Sequence, residues 1–174
     1  MAEVGIGETS DLIKREDFDY LTGNAISEGA LYPVPRLLDR DSGELKLVAS
    51  YGLSNEFLNK GPVSATTSAT QALKGETLVI DDATTDDRIQ YKKEMKKEGI
   101  GSMIVTPIKS RDEVIGVLRL YASVKREFPE DFITVVQALA HQGALAIQNA
   151  TMYLELQKDK EELEHDIWSH RSWF

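Results

Sequence analysis

The 174-residue chain is 41% apolar and 28% charged, enough hydrophobic material for one full core plus extensions and too much for a disordered polymer. Lys and Arg number 20 against 29 Asp and Glu, and the net charge of −9 repels phosphate backbones and anionic lipid, so neither nucleic acid nor a membrane surface is expected as a partner. Cysteine is absent, which removes disulfides, thiolate nucleophiles, zinc–sulfur sites and thioether-linked cofactors together. The first eight residues lack the basic and apolar regions of a signal peptide. The most hydrophobic stretch, 133–147, is interrupted by Gln137, His141 and Gln142 and falls short of the roughly 20 apolar residues of a membrane helix. A cytoplasmic location is the expectation.

In chain order, residues 1–9 predict no regular element, and Ser10 or Asp11 caps a short helix to about Leu21. A Gly/Ser/Asn-rich loop covers 22–30, and a strand follows at 31–38. Pro33 and Pro35 each delete a ladder donor there, which fits an edge strand or an irregular segment. The turn 39–43 leads into 44–51, where Leu45, Leu47 and Ala49 alternate onto one face, so the two runs make a hairpin. A helical turn at 54–58 precedes a hydroxyl-rich stretch, 63–70, that opens a short helix with Gly75 at its C′ position. A strand at 77–80, an acidic loop and a helix over 88–98 with Ile89, Tyr91 and Met95 inward come next, stopped by Gly99. Residues 102–109 and 113–123 form the best strand pair, joined through 110–112. From Pro129, with Glu130 and Asp131 at the positive end of the dipole, one helix runs for roughly 40 residues, too long for the domain to cover. The order specifies an α+β fold, an antiparallel sheet with helices beside it.

Two faces can be traced on the last helix. Phe132, Val136, Leu139, Ala140, Gly143, Ile147, Ala150 and Leu154 form the face expected on the sheet. A heptad seam runs through Val135, Leu139, Gln142, Ala146, Asn149, Tyr153, Leu156, Lys160, Leu163, Ile167 and His170, flanked by charges. A helix so long and polar is marginal alone, so the seam is expected to close against a second copy as a parallel dimer, the other reading being a solvated tail.

The runs DRDSGELKLVASYGL (39–53), LKGETLVIDDA (73–83), EGIGSMIVTPI (98–108) and VIGVLRLYA (114–122), followed by Phe128 and the helix 137–150, together resemble the GAF domain family over about residues 36–152. The resemblance implies a GAF-like central antiparallel sheet with terminal helices on one face and a ligand pocket on the other. It also implies a sensing or dimerising role in bacterial signal transduction, with the projecting helix leading to an output domain such as a kinase, a cyclic-dinucleotide enzyme or a transcription activator. The expected division is 1–25 as an N-terminal extension with a short helix, 26–150 as the GAF domain and 151–174 as the signalling helix. The Asn-Lys-Phe-Asp-Glu signature of the cyclic-nucleotide-binding branch is missing, Asn59-Lys60 continuing as Gly61-Pro62. Bilin attachment and methionine sulfoxide reduction, found in some relatives, depend on cysteine and are set aside.

Thr66, Thr67, Ser68 and Thr70 lie at a helix start, where free N–H groups favour an anion or a carbonyl oxygen, and in the family this region borders the pocket; ordinary capping is the plain alternative. Arg119 and Tyr121 alternate with Ile115 and Val117, so all four are expected on one face of a central strand. Arg119 there either pairs with a carboxylate of the acidic loop or snorkels to the surface. By family position Arg88, Tyr91, Ser102 and Thr106 are further ligand contacts. Asp81, Asp82, Asp86 and Asp87 lack the spacing of a calcium loop and read as a solvated, capping turn. His141, His165 and His170 fall at unequal separations and specify no metal set. The expectation is a non-enzymatic small-molecule sensor that dimerises through its terminal helices, its ligand unspecified; the alternative is a degenerate domain serving as dimeriser and spacer.

Overall fold

The computed structural model describes residues 29–61 and 68–171, the side chains of Ser68 and of residues 166–171 excepted. The helix expected before Leu21 and the hydroxyls of Ser64, Thr66 and Thr67 lie outside the described residues. The elements are β1 (Leu31–Leu38), β2 (Leu45–Leu47), α1 (Asn55–Leu58), α2 (Ser68–Leu73), β3 (Leu78–Ile80), α3 (Lys92–Glu98), β4 (Ser102–Ser110), β5 (Glu113–Ala122) and α4 (Glu130–Arg171). The strands form one antiparallel sheet in the order β2-β1-β5-β4-β3.

The β4–β5 hairpin is the centre, paired from Ser102 opposite Ala122 to Ser110 opposite Glu113, and turned by Arg111 at φ 55°. Its ladder slips once. Ile108 pairs with Gly116 but Lys109 with Val114, leaving Ile115 as an extra residue, a bulge. The bulge reverses the parity of the strand start, so Ile115 packs with Ile108, Ala140 and Ala144 instead of joining Val117, Arg119 and Tyr121 as the alternation predicts. Gly116 is required beside it, because a Cβ there would meet the Arg36 carbonyl oxygen at 2.3 Å.

Pro33 and Pro35 do not disrupt β1, which lies second in the sheet and pairs with β5 from Leu31 to Leu37. β2 covers only Arg36 to Leu38. The Pro35 carbonyl accepts from Val48 N, so both of its backbone groups point away from β5 toward that side. Pro35 has no N–H to return the bond, and the ladder ends at Leu47 opposite Arg36. The second hairpin strand is therefore three residues long, shorter than the expected 44–51. Leu45 is buried while Leu47 is exposed.

One sheet face carries α4. Val136 and Phe128 pack with Ile104, Leu120 and Ala122, flanked by Phe132 and Ile133, and farther along Ala140 and Ala144 meet Ile108. Ile133 and Ala144 belong to this contact face, whereas Ala150 and Leu154, expected on it, are exposed because the helix has passed the sheet's end. From Asn149 to His165 every residue is exposed. At about 1.5 Å per residue the helix spans roughly 63 Å.

The opposite face is roofed by the short helices. Phe57 of α1, Ala69 and Ala72 of α2 and Met95 of α3 join Val34, Val105, Val117 and Tyr121 in one core. Ser54 caps α1 through its side chain, and Gly99 (φ 75°) closes α3 as expected. α3 starts at Lys92, four residues after the expected Arg88, because Asp86 captures the preceding turn: it accepts from Arg88 N and Nε, and its carbonyl accepts from Ile89 N.

Candidate functional site

On β5, Val117, Arg119 and Tyr121 point away from α4. β1 lies beside it with Tyr32 opposite Tyr121, Val34 opposite Arg119 and Arg36 opposite Val117. Two rungs of one antiparallel ladder thus place Arg36 and Arg119 as diagonal neighbours on the roofed face. Both are buried, at 6% and 4% exposure.

Neither guanidinium is neutralised among the described residues. The ion pairs found there join Asp39 to Lys46, Glu56 to Lys97, Asp82 to Lys125, Asp86 to Arg88, Asp87 to Lys92 and Glu113 to Arg40, with two more along α4. Arg119 therefore takes neither expected course: Asp82, Asp86 and Asp87 of the acidic loop are bound to other cations, no ion pair joins Asp81 to Arg119 among the described residues, and the side chain stays inside. Its Nη1 donates to Tyr121 Oη at 3.5 Å, the weak limit of a hydrogen bond, and its Nε has no partner. Arg36 Nη1 donates to the Leu45 carbonyl at 3.1 Å, and its Nε is likewise unpaired. The two like charges repel, and after burial the field of Arg119 is one of the influences that lower Arg36.

A third cation approaches from the loop after α1. Lys60 Nζ donates to the Phe57 carbonyl at 2.9 Å, lies 3.5 Å from the Phe57 ring centroid and 5.8 Å from that of Tyr91. Burial, reinforced by repulsion from Arg36 and Arg119 and only partly countered by Glu94 and Glu98, pushes its ammonium down to about 8. Burial also lowers Arg36 from its usual value. The Phe57 ring meets Tyr121 edge-on, centroids 5.5 Å apart, so the cations are bordered by aromatic surface.

Of the residues expected at a ligand site, the structure brings Arg119 and Tyr121 together, with half-buried Tyr91 beside Lys60. Thr70 is half-buried on α2, Ser68 begins that helix, and Thr66 and Thr67 lie outside the described residues. Ser102 and Thr106 belong to the other face. Ser102 Oγ donates to the Val124 carbonyl, and Thr106 Oγ1 shares a hydrogen bond with Thr77 Oγ1, which accepts from Gln137 Nε2 of α4. They tie strands and helix together. Arg88 sits at the exposed rim, held by Asp86.

Arg36, Lys60 and Phe57 are absent from the expected set. The alternation Val34, Arg36, Leu38 was present in the sequence, but the intervening prolines masked it as an irregular segment. Lys60 sits in no periodic element. Along α4, Val135, Gln142, Ala146, Asn149, Tyr153, Leu156 and Leu163 are exposed, Tyr153 at 65%, Leu156 at 72% and Leu163 at 64%; Ile167 lies in α4, its side chain outside the description. Among the described residues no group of three His, Asp or Glu is placed to hold a metal ion, and no helix is long and apolar enough to cross a membrane.

A family model for GAF domains matches residues 34–148. Among solved structures, the GAF domain of a phosphoenolpyruvate-protein phosphotransferase from Coxiella burnetii superposes with a TM-score of 0.64 at 18% identity, covering 84% of this chain and 90% of that one. A GAF domain/HD domain protein from Geobacter sulfurreducens gives 0.62 at 17% identity, covering 85% and 97%. A type II free methionine-R-sulfoxide reductase from Thermoplasma acidophilum gives 0.60 at 17% identity, covering 80% and 92%. No curated protein matches the sequence at a significant level.

Proposed function

The chain belongs to the GAF domain family, and from that membership we propose that it is a non-enzymatic regulatory module that senses a small molecule on the roofed sheet face, dimerises through α4 and passes its ligand state to an output domain. The observation that carries this reading is the pair of buried guanidiniums, Arg36 and Arg119, left without a counter-charge among the described residues. Uncompensated buried charge is strongly unfavourable in a finished core and is tolerated where a ligand completes the arrangement. In this scheme residues 26–150 are the sensor and 151–174 the rod that couples it to an output such as a kinase, a cyclic-dinucleotide enzyme or a transcription activator.

The coupling route is short. Arg119 faces the ligand side of β5, and the next residue, Leu120, packs with Val136 of α4 on the other. A ligand that draws on Arg119 acts through one strand on the helix, provided it binds the two helix geometries unequally. Reductase chemistry like that of the Thermoplasma neighbour is disfavoured because the chain has no cysteine. The rival reading, a spacer whose pocket is filled by its own side chains, draws support from the Phe57 ring seated on Tyr121, but it leaves the two arginines unexplained.

A thermal-shift screen against nucleotides, amino acids, organic acids and aromatic compounds, with native mass spectrometry of the purified chain, separates the two. A saturable rise of several degrees supports sensing, since binding to the folded state stabilises by mass action; no shift and no co-purified mass favours the spacer. For the dimer, truncation after Asn149 is expected to yield monomers by sedimentation, and unchanged sedimentation overturns the α4 interface.

A further inference from the structure

We propose that the small molecule recognised here carries at least two negative charges, carboxylate or phosphoryl, and is clamped between Arg36 and Arg119 from the sheet and Lys60 from the loop after α1. This rests on the reading of the roofed face as a ligand site.

The charge count comes from the face itself. Arg36 and Arg119 are more than nine-tenths buried, sit diagonally on paired strands and each keep an unpaired Nε. Lys60 stands close enough to feel both, and the carboxylates acting on it from α3, Glu94 and Glu98, form no ion pair with it. Glu98 instead accepts from Ser54 N and Oγ. One negative charge leaves two of the three cations uncompensated; two match the guanidinium pair, and a third offsets Lys60 as well. Guanidinium forks bind planar carboxylate and tetrahedral phosphoryl oxygens in two-point fashion, which suits two separated acidic groups gripped from adjacent strands. The surrounding Val34, Phe57, Val117 and Tyr121 provide apolar and aromatic surface for a short carbon skeleton between them. An overall charge of −9 discourages anions at large, so selection has to come from this local concentration of cations. Macromolecular polyanions are excluded by burial, because no duplex or peptide backbone reaches residues so enclosed.

The test is isothermal titration of the full chain, in a buffer free of multivalent anions at pH 7, with succinate, citrate, glycerol 3-phosphate and inorganic phosphate, against the monoanion butyrate and neutral succinamide. At least one organic dianion or trianion is expected to bind saturably and at least tenfold more tightly than butyrate. Arg119→Met and Arg36→Met are each expected to weaken it tenfold or more, with far-UV circular dichroism confirming the fold. Arg119→Lys, which keeps the charge, is expected to retain part of the affinity. Succinate against glycerol 3-phosphate distinguishes a carboxylate from a phosphoryl source. The proposal is overturned if none of the polyanions binds, if butyrate or succinamide binds as tightly, or if the arginine variants bind undiminished. A neutral compound found by the thermal-shift screen would remove the dianion while sparing the sensor reading. Dianion binding that leaves the α4 pair unmoved would do the reverse.

Discussion

Arg119→Met is expected to make the ligand-free protein more stable, which is unusual for a change at a site 4% exposed. Among the described residues the wild-type guanidinium has no partner for its Nε and a 3.5 Å approach to Tyr121 Oη as its hydrogen bonding, with Arg36 as a like-charged neighbour. Removing an unsatisfied buried polar group recovers about 1–3 kcal/mol, and exchanging buried charge for apolar volume has a similar range. Breaking the Tyr121 hydrogen bond offsets part of this: at 3.5 Å it is weak, so the buried hydroxyl left behind takes back about 1 kcal/mol, the low end of the range for an unsatisfied polar group. A net gain of roughly 0–2 kcal/mol follows, and for a chain of this length each kcal/mol raises Tm by about 2–4 °C. Arg36→Met gains less because it strands the Leu45 carbonyl that Arg36 Nη1 serves. The double variant gains less than the sum, since each single change already relieves the mutual repulsion. The assay is thermal and urea unfolding in a buffer without multivalent anions. If Arg119→Met is less stable than wild type by 1 kcal/mol or more, the guanidinium is satisfied within the protein and no ligand counter-charge is called for.

Lys60 provides a pH test. Its folded-state value of about 8 lies below its ordinary 10.5, so between those limits the unfolded chain holds more protons than the folded one and stability rises with pH, the penalty being fully present below about 8. The ligand-free wild type is expected to gain stability from pH 8 to 10 relative to Lys60→Met, and dianion affinity to fall across the same range; parallel stability curves would refute the assignment. Gly116→Ala drives a Cβ to 2.3 Å from the Arg36 carbonyl oxygen, so β1 must move from β5, with an expected destabilisation of about 1–3 kcal/mol in urea unfolding; a neutral result would show that the two strands are not held in this register. Ile104→Ala, fully buried between β4 and α4, is expected to lose about 2–5 kcal/mol by the same assay, and a loss under 1 kcal/mol would mean that α4 does not cover this face.

The elements legible in the sequence were those set by local chemistry. The β4–β5 hairpin and the Gly99 stop of α3 follow from alternation and a left-handed glycine, and the length of α4 from the lack of any breaker after Pro129. What stayed hidden depends on partners distant in the chain. The bulge at Ile115 exists because β4 pairs with it out of step, and single-strand alternation assigned that residue to the wrong face. Pro33 and Pro35 read as irregular until the position of β5 showed that their missing donors point away from it. The site suffered most from this. Arg36 was concealed by those prolines, and Ser102 and Thr106, assigned by family position, fall on the α4 face once the parity of β4 is known.

The proposed coupling of ligand to helix is tested most directly by a distance across the proposed α4 pair. The chain contains no cysteine, so Glu161→Cys, at an exposed position on the projecting half, gives one spin label per subunit without further substitution. Double electron–electron resonance is then recorded without and with saturating succinate or glycerol 3-phosphate, whichever binds more tightly. A measurable inter-subunit distance that shifts on dianion addition, and fails to shift in the Arg119→Met background, is the predicted result. An unchanged distribution at full occupancy, or no dipolar signal at all, contradicts it.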